Sequence, residues 1–141
     1  MTANTLRSAR RLIVASLLLF GFATSAARAQ EGELSVAEIQ LATTLESGRA
    51  VAPTTAFTHA DGRIFAVVQL ENPSREATTV RVSIEPVDGA ARRGVSLDVP
   101  ARPRYRTVAR MSAAQRPGRY RVVVRTEDGR ELSSVELTVS E

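Results

Sequence analysis

Few residues in this chain have side chains suited to chemistry. His59 is the one histidine, and cysteine is absent. Nucleophilic catalysis needs a hydroxyl or thiol beside a base that a third group orients. That base would have to be His59, in the turn-like run His59-Ala60-Asp61-Gly62-Arg63, and no Gly-x-Ser-x-Gly surrounds any serine. His59 therefore reads as a surface loop residue. Zinc takes three or four N, S or O ligands, which one histidine without thiols does not supply. Calcium takes clustered carboxylates, whereas Asp61, Asp88 and Glu127-Asp128 lie in separate turns that turn chemistry alone explains. Glycoside hydrolysis needs two opposed carboxylates in a cleft, and the scattered acids give no sign of such a pair. No glycine loop suited to phosphate is present. The expectation is no catalytic residue, no metal and no cofactor.

Two other features point to binding. Arg102, Arg104, Arg106 and Arg110 lie on one segment, and Arg116, Arg119, Arg121 and Arg125 on and before another. The alternative for both groups is a solvated charged face. The second feature is a surplus of apolar residues on nominally polar faces: Phe65, Val67, Val108, Val123 and Leu132. Phe65, Val67 and Val108, with Arg106 and Arg125, form the candidate partner surface. Such a patch needs a cover, either the 46–58 segment or a partner. All basic residues are arginine, which could suit bidentate recognition of anions, but the coding bias of a GC-rich bacterial genome is the favoured reading.

The whole-chain net charge of +4 is misleading, because it comes from the first 29 residues. Four of the 19 basic residues (Arg7, Arg10, Arg11 and Arg28) precede Gln30, whereas all 15 acidic residues follow it. From Gln30 onward the chain is neutral, and nucleic-acid binding, which leans on excess positive charge, loses its support. The same 29 residues have the parts of a secretory signal peptide: early arginines, an apolar run from Leu12 to Phe22, and Ala27-Arg28-Ala29 at the cleavage position. Eleven apolar-rich residues are too few for a spanning helix, which needs about 20. Arg10-Arg11 invites a twin-arginine reading, but the very apolar core fits the general secretory route better. The expectation is cleavage after Ala29, a periplasmic or secreted product without stable membrane insertion, and one domain over 30–141.

That domain must build its core from aliphatic side chains, since tryptophan is absent and no disulfide can staple it. Period-2 alternation dominates. Val80, Val82 and Ile84 alternate with Thr79, Arg81, Ser83 and Glu85, giving one buried and one wet face. Val95, Leu97 and Val99 repeat the pattern, as do Tyr105, Thr107, Ala109 and Met111. Ile64–Leu70 is apolar on both faces and reads as a central strand. Asp61-Gly62, Asp88-Gly89, Asn72-Pro73-Ser74, Pro117-Gly118 and Asp128-Gly129 mark turns. A two-residue Asp128-Gly129 loop would set Tyr120 opposite Leu137 and Arg121 opposite Glu136, with Leu132 turned outward beside Arg125. Segment 34–46 fits either a capped helix or a strand, and Thr43-Thr44 favours the strand.

Seven or eight short strands with regular turns and no convincing interior helix predict a single antiparallel β-sandwich. Gly118-Arg119-Tyr120-Arg121-Val122-Val123-Val124 resembles the Gly-x-Tyr-x-Val-x-Val start of the penultimate strand in immunoglobulin-like domains. The resemblance implies strands at 36–45 (with 54–58), 63–71, 78–86, 95–100, 104–111, 119–126 and 131–139. It also implies a Tyr120 hydroxyl bonded back to nearby backbone, the 63–71 and 104–111 strands paired, and the two arginine-rich strands in different sheets. Antibody-type domains are excluded, for there is no cysteine pair and no core tryptophan. The chain is closer to bacterial envelope modules and to fibronectin type III domains. That likeness implies a non-catalytic binding or scaffolding role in protein–protein contact, with another envelope protein as partner. The alternatives are a carbohydrate- or polyanion-binding module, poorly supplied with aromatics, and a small hydrolase.

Overall fold

The computed structural model describes residues 32–141, and the leader assigned to residues 1–29 lies outside them. The described residues are all-β apart from a single 3-10 turn at His59–Asp61. The strands are β1 (Ser35–Ala42), β2 (Thr44–Glu46), β3 (Arg49–Val51), β4 (Ala56–Thr58), β5 (Arg63–Glu71), β6 (Thr78–Pro86), β7 (Val95–Val99), β8 (Arg104–Ser112), β9 (Gly118–Thr126) and β10 (Glu131–Ser140). They form a three-stranded sheet, β1-β5-β8, a five-stranded sheet, β4-β10-β9-β6-β7, and the small β2–β3 hairpin. Segment 34–46 is thus extended, and β5 is central in its sheet. The alternating strands hold their predicted limits closely because their apolar faces meet one core. Leu41, Ile64, Ala66, Val68 and Leu70 come to it from one sheet, and Val80, Val82, Val122, Val124 and Leu137 from the other. Among the described residues, no helix is long and apolar enough to cross a membrane.

Four details depart from the sequence pattern. The sheets are not wholly antiparallel: β4 runs parallel to β10, with Val139 opposite Phe57. After β1 the chain makes the β2–β3 hairpin, returns so that Thr54 N–H donates to the Leu41 carbonyl, and crosses to the other sheet, burying Phe57. Val95 stands 40 % exposed at the start of the edge strand β7, although its register partner Val82 is buried in the core.

The third departure is in the β9–β10 hairpin. Its loop has three residues rather than two: Gly129 N–H donates to the Thr126 carbonyl and Thr126 N–H to the Arg130 carbonyl. Gly129 takes φ 97°, a left-handed conformation suited to glycine. That loop shifts the pairing by one residue, and a bulge between Glu131 and Ser133 shifts it back. Tyr120 therefore faces Leu137 and Arg121 faces Glu136 as the pattern requires. The bulge turns Leu132 against the core instead of outward beside Arg125.

The fourth departure is on the outer face of β6. Ser83 and Glu85, placed on the wet face by alternation, are buried, at 3 % and 2 % exposed.

Candidate functional site

Three strands present the predicted partner surface. In β5 the outward positions are Phe65, Val67, Gln69 and Glu71, and in β8 they are Arg110, Val108, Arg106 and Arg104. The antiparallel register sets them opposite one another in that order. Gln40 of β1 faces Val67 and Ala42 faces Phe65 on the other side. This face is unequally covered. Val67 is buried, with β3 approaching β1 and β5 nearby. Phe65 and Val108 are half-buried, and Arg104, Arg106 and Arg110 are exposed.

The Arg110 guanidinium carbon lies 5.7 Å from the Phe65 ring centroid. Such a cation–π contact stabilises by about 0.5–1 kcal/mol at an exposed site. Beside it, Ala37, Gln69, Glu71, Arg104 and Arg106 line an open hollow of about 450 Å³. Among the described residues no carboxylate lies within 4.0 Å of the Arg104, Arg106 or Arg110 side chains. Phe65, Val67, Val108 and Arg106 are therefore brought onto one face, with Arg104 and Arg110 added by the register.

Arg125 is not on that face. It belongs to β9, in the five-stranded sheet, where it grips Glu85 in a two-point fork of 3.0 and 2.8 Å. Glu85 also accepts from Arg121 at 3.2 Å, from the Ser83 hydroxyl at 3.2 Å and from the Arg92 backbone N–H at 3.2 Å. The Arg125 hydrogen bonds, against the cost of burial, hold the Glu85 carboxyl at about 2, well below its ordinary 4.5. Arg121, Val123 and Arg125 share one side of β9, and the two arginines flank a fully buried Val123. Arg121 faces Glu136 in register, but the ion pair forms diagonally from Arg119 to Glu136 at 2.8 Å. Arg121 turns instead to Glu85 and Glu131.

Alternation alone did not reveal this buried carboxylate. Its signal is the β6–β9 register, which opposes Glu85 to Arg121 and Arg81 to Arg125. Each Glu85 oxygen has its donors, whereas Arg121 Nε is buried without a hydrogen-bond partner among the described residues; a carboxyl held near 2 is a poor proton acceptor. His59 sits exposed in the 3-10 turn, with Nδ1 3.4 Å from the Gln115 carbonyl oxygen. Among the described residues no group of three metal-ligating side chains converges.

No family model matches the sequence, and no curated protein does. Solved structures are similar in fold. One is a β-glucosidase from Listeria innocua in complex with glucose, at 15 % identity and a TM-score of 0.51, covering 77 % of this chain and 16 % of that one. Another is an alkylpurine DNA glycosylase from Pseudomonas fluorescens bound to DNA containing an abasic site analog, at 17 % identity and a TM-score of 0.53, covering 82 % of this chain and 34 % of that one. The chain thus corresponds in length to a minor part of each. At these identities the likeness is one of fold.

Proposed function

We propose that this chain is an exported, non-catalytic module of the immunoglobulin-like β-sandwich type, serving protein–protein contact in the bacterial envelope. The observation that carries the reading is the outer face of β1-β5-β8. There exposed Arg104, Arg106 and Arg110, with no carboxylate within 4.0 Å among the described residues, stand along β8 beside half-buried Phe65 and Val108. On the other sheet, Glu85 takes up the corresponding positive charge of Arg121 and Arg125. Charged residues flanking a partly exposed apolar patch suit a contact surface, with the patch at its centre and the charges toward its rim.

The sandwich reading is supported by the strand orders β1-β5-β8 and β4-β10-β9-β6-β7 and by a core that draws on both sheets. It is supported too by the Tyr120 hydroxyl, which donates to the Arg116 carbonyl at 2.5 Å, as in a tyrosine corner. Export rests on the arginines, apolar run and Ala27-Arg28-Ala29 of the leader. N-terminal sequencing of the protein from its own cells should begin at Gln30.

Affinity capture from envelope extract, read by mass spectrometry, tests the contact role. A specific protein that survives moderate salt, and is lost on Phe65→Asp with folding intact, supports it. An empty capture overturns it. The arginine stripe on β8 also supports a second reading, a polyanion-binding module, for which binding would fall steeply with salt and ignore Phe65→Asp.

A further inference from the structure

We propose that the free edge of β8 receives an acidic extended segment of a partner protein as an added antiparallel strand. This deepens the protein-contact reading and rests on it. Among the described residues each main sheet has two edges, and they differ in how open they are. β1 is bulged between Val36 and Glu38, and its end is bonded by Thr54. β4 has three residues and β7 five. β8 has nine, paired without a break to β5 from Ser112 to Arg104, with no proline or glycine. Every second residue of such a strand directs its N–H and C=O away from β5, a ready template for another chain.

What guards this edge also selects its partner. Along one side of β8 stand Arg104, Arg106, Val108 and Arg110. Pairing with a second copy about a two-fold at Thr107 would set Arg104 against the second copy's Arg110, like charges directly opposite, which is destabilising. A strand carrying carboxylates at those positions and an aliphatic residue opposite Val108 would be complementary. Same-side residues on both strands recur about every 7 Å, so the charges stay in step. Glu71 stands opposite Arg104 and lines the same hollow, which leaves Arg106 and Arg110, opposite Gln69 and Phe65, as the arginines with no acid facing them in register. Main-chain bonds then supply affinity, and alternate side chains specificity.

The probe is the capped peptide Glu-Thr-Val-Thr-Glu-Thr-Glu, titrated into 15N-labelled protein, with Kd and backbone amide shifts read by NMR. Two N-methylated versions, each blocking the alternate amides of one peptide edge, are titrated in parallel. The expected result is saturable binding with shifts concentrated on β8, at least fivefold weaker for the exposed-site variant Arg106→Glu. One N-methylated version should bind at least tenfold more weakly, and the other as the parent. No binding up to millimolar peptide overturns the proposal. Equal binding by both N-methylated versions also overturns it, since charge alone would then suffice, as for a polyanion. If the peptide fails while a captured protein is still lost on Phe65→Asp, the acidic strand falls and the contact reading stands. If the capture is empty as well, both fall.

Discussion

At the scale of single residues, Glu85 has the largest consequences. Its side chain is 3 % exposed and faces two guanidiniums that are themselves only partly exposed. Removing one member of such a set strands the others' charge. Glu85→Gln should cost about 2–4 kcal/mol, measured by chemical denaturation, at the lower side because Arg121 and Arg125 keep some solvent. The pH dependence follows from the direction of the shift. The folded carboxyl titrates near 2 and the unfolded one near 4.5, so its contribution is fully present above the unfolded value. It is lost as pH falls through that window, amounting to about 3 kcal/mol before any discount for solvent. Denaturation midpoints measured between pH 6 and pH 2 should fall steeply in the native protein and much less in Glu85→Gln. A second residue, Tyr120, keeps its ring in the core while its hydroxyl serves the Arg116 carbonyl. Tyr120→Phe should cost about 1 kcal/mol, since that carbonyl is left to water. An unchanged midpoint would remove the tyrosine corner from the stability of the fold.

At the scale of elements, turns and bulges decide which face a side chain takes. The three-residue loop and the bulge at Leu132 cancel in register but not in orientation. Leu132→Asp should therefore destabilise by about 1–2 kcal/mol, because the side chain packs against the core. A neutral effect in denaturant melts would restore the outward placement. The segment after β6 supplies a second case. Gly94 takes φ 70°, and a Cβ there would lie 2.3 Å from the Val82 carbonyl oxygen and 2.7 Å from Ser83 Cβ. Gly94→Ala meets both the left-handed backbone and a wall of main chain. It should cost more than about 2 kcal/mol, visible as a lowered Tm. The same close approach brings the Arg92 backbone N–H onto Glu85, so this variant should also weaken the carboxylate network and flatten its acid dependence.

At the scale of the molecule, one core joins the two sheets, and the chain crosses between them on either side of it. The 52–56 crossing delivers Phe57 to the core, and the β7–β8 connection is tied by Asn72. The Asn72 amide donates to the Pro100 carbonyl at 3.3 Å, and its backbone N–H donates to the Pro103 carbonyl at 2.8 Å. With no disulfide and a shared core, neither sheet has an apolar interior of its own. Native-state hydrogen exchange should give the central amides of β5 and β9 the same opening free energy, within about 0.5 kcal/mol. Two distinct values would mean the sheets unfold as separate units.

The amino-acid sequence by itself determined where strands form and which side of most of them is buried. Period-2 alternation and Asp-Gly, Asn-Pro and Pro-Gly punctuation are local signals, and a core has to accept them. Val80, Val82 and Ile84, and the facing of Tyr120 with Leu137, were legible for that reason. Of the candidate surface, Phe65, Val67, Val108 and Arg106 could be read together, since strand pairing puts them in adjacent rows. The resemblance put the strand of Arg125 in the other sheet, but its engagement there was not legible, because an arginine looks the same in sequence whether it faces solvent or a buried acid. Only the tertiary structure decided that Arg125 and Arg121 converge on Glu85, that Leu132 turns inward, and that β8 keeps a long open edge lined by Arg104, Arg106 and Arg110. Each of these depends on a partner far away in the chain. Which charges meet is set by the register between strands, and register follows from the packing of the whole core rather than from any one segment.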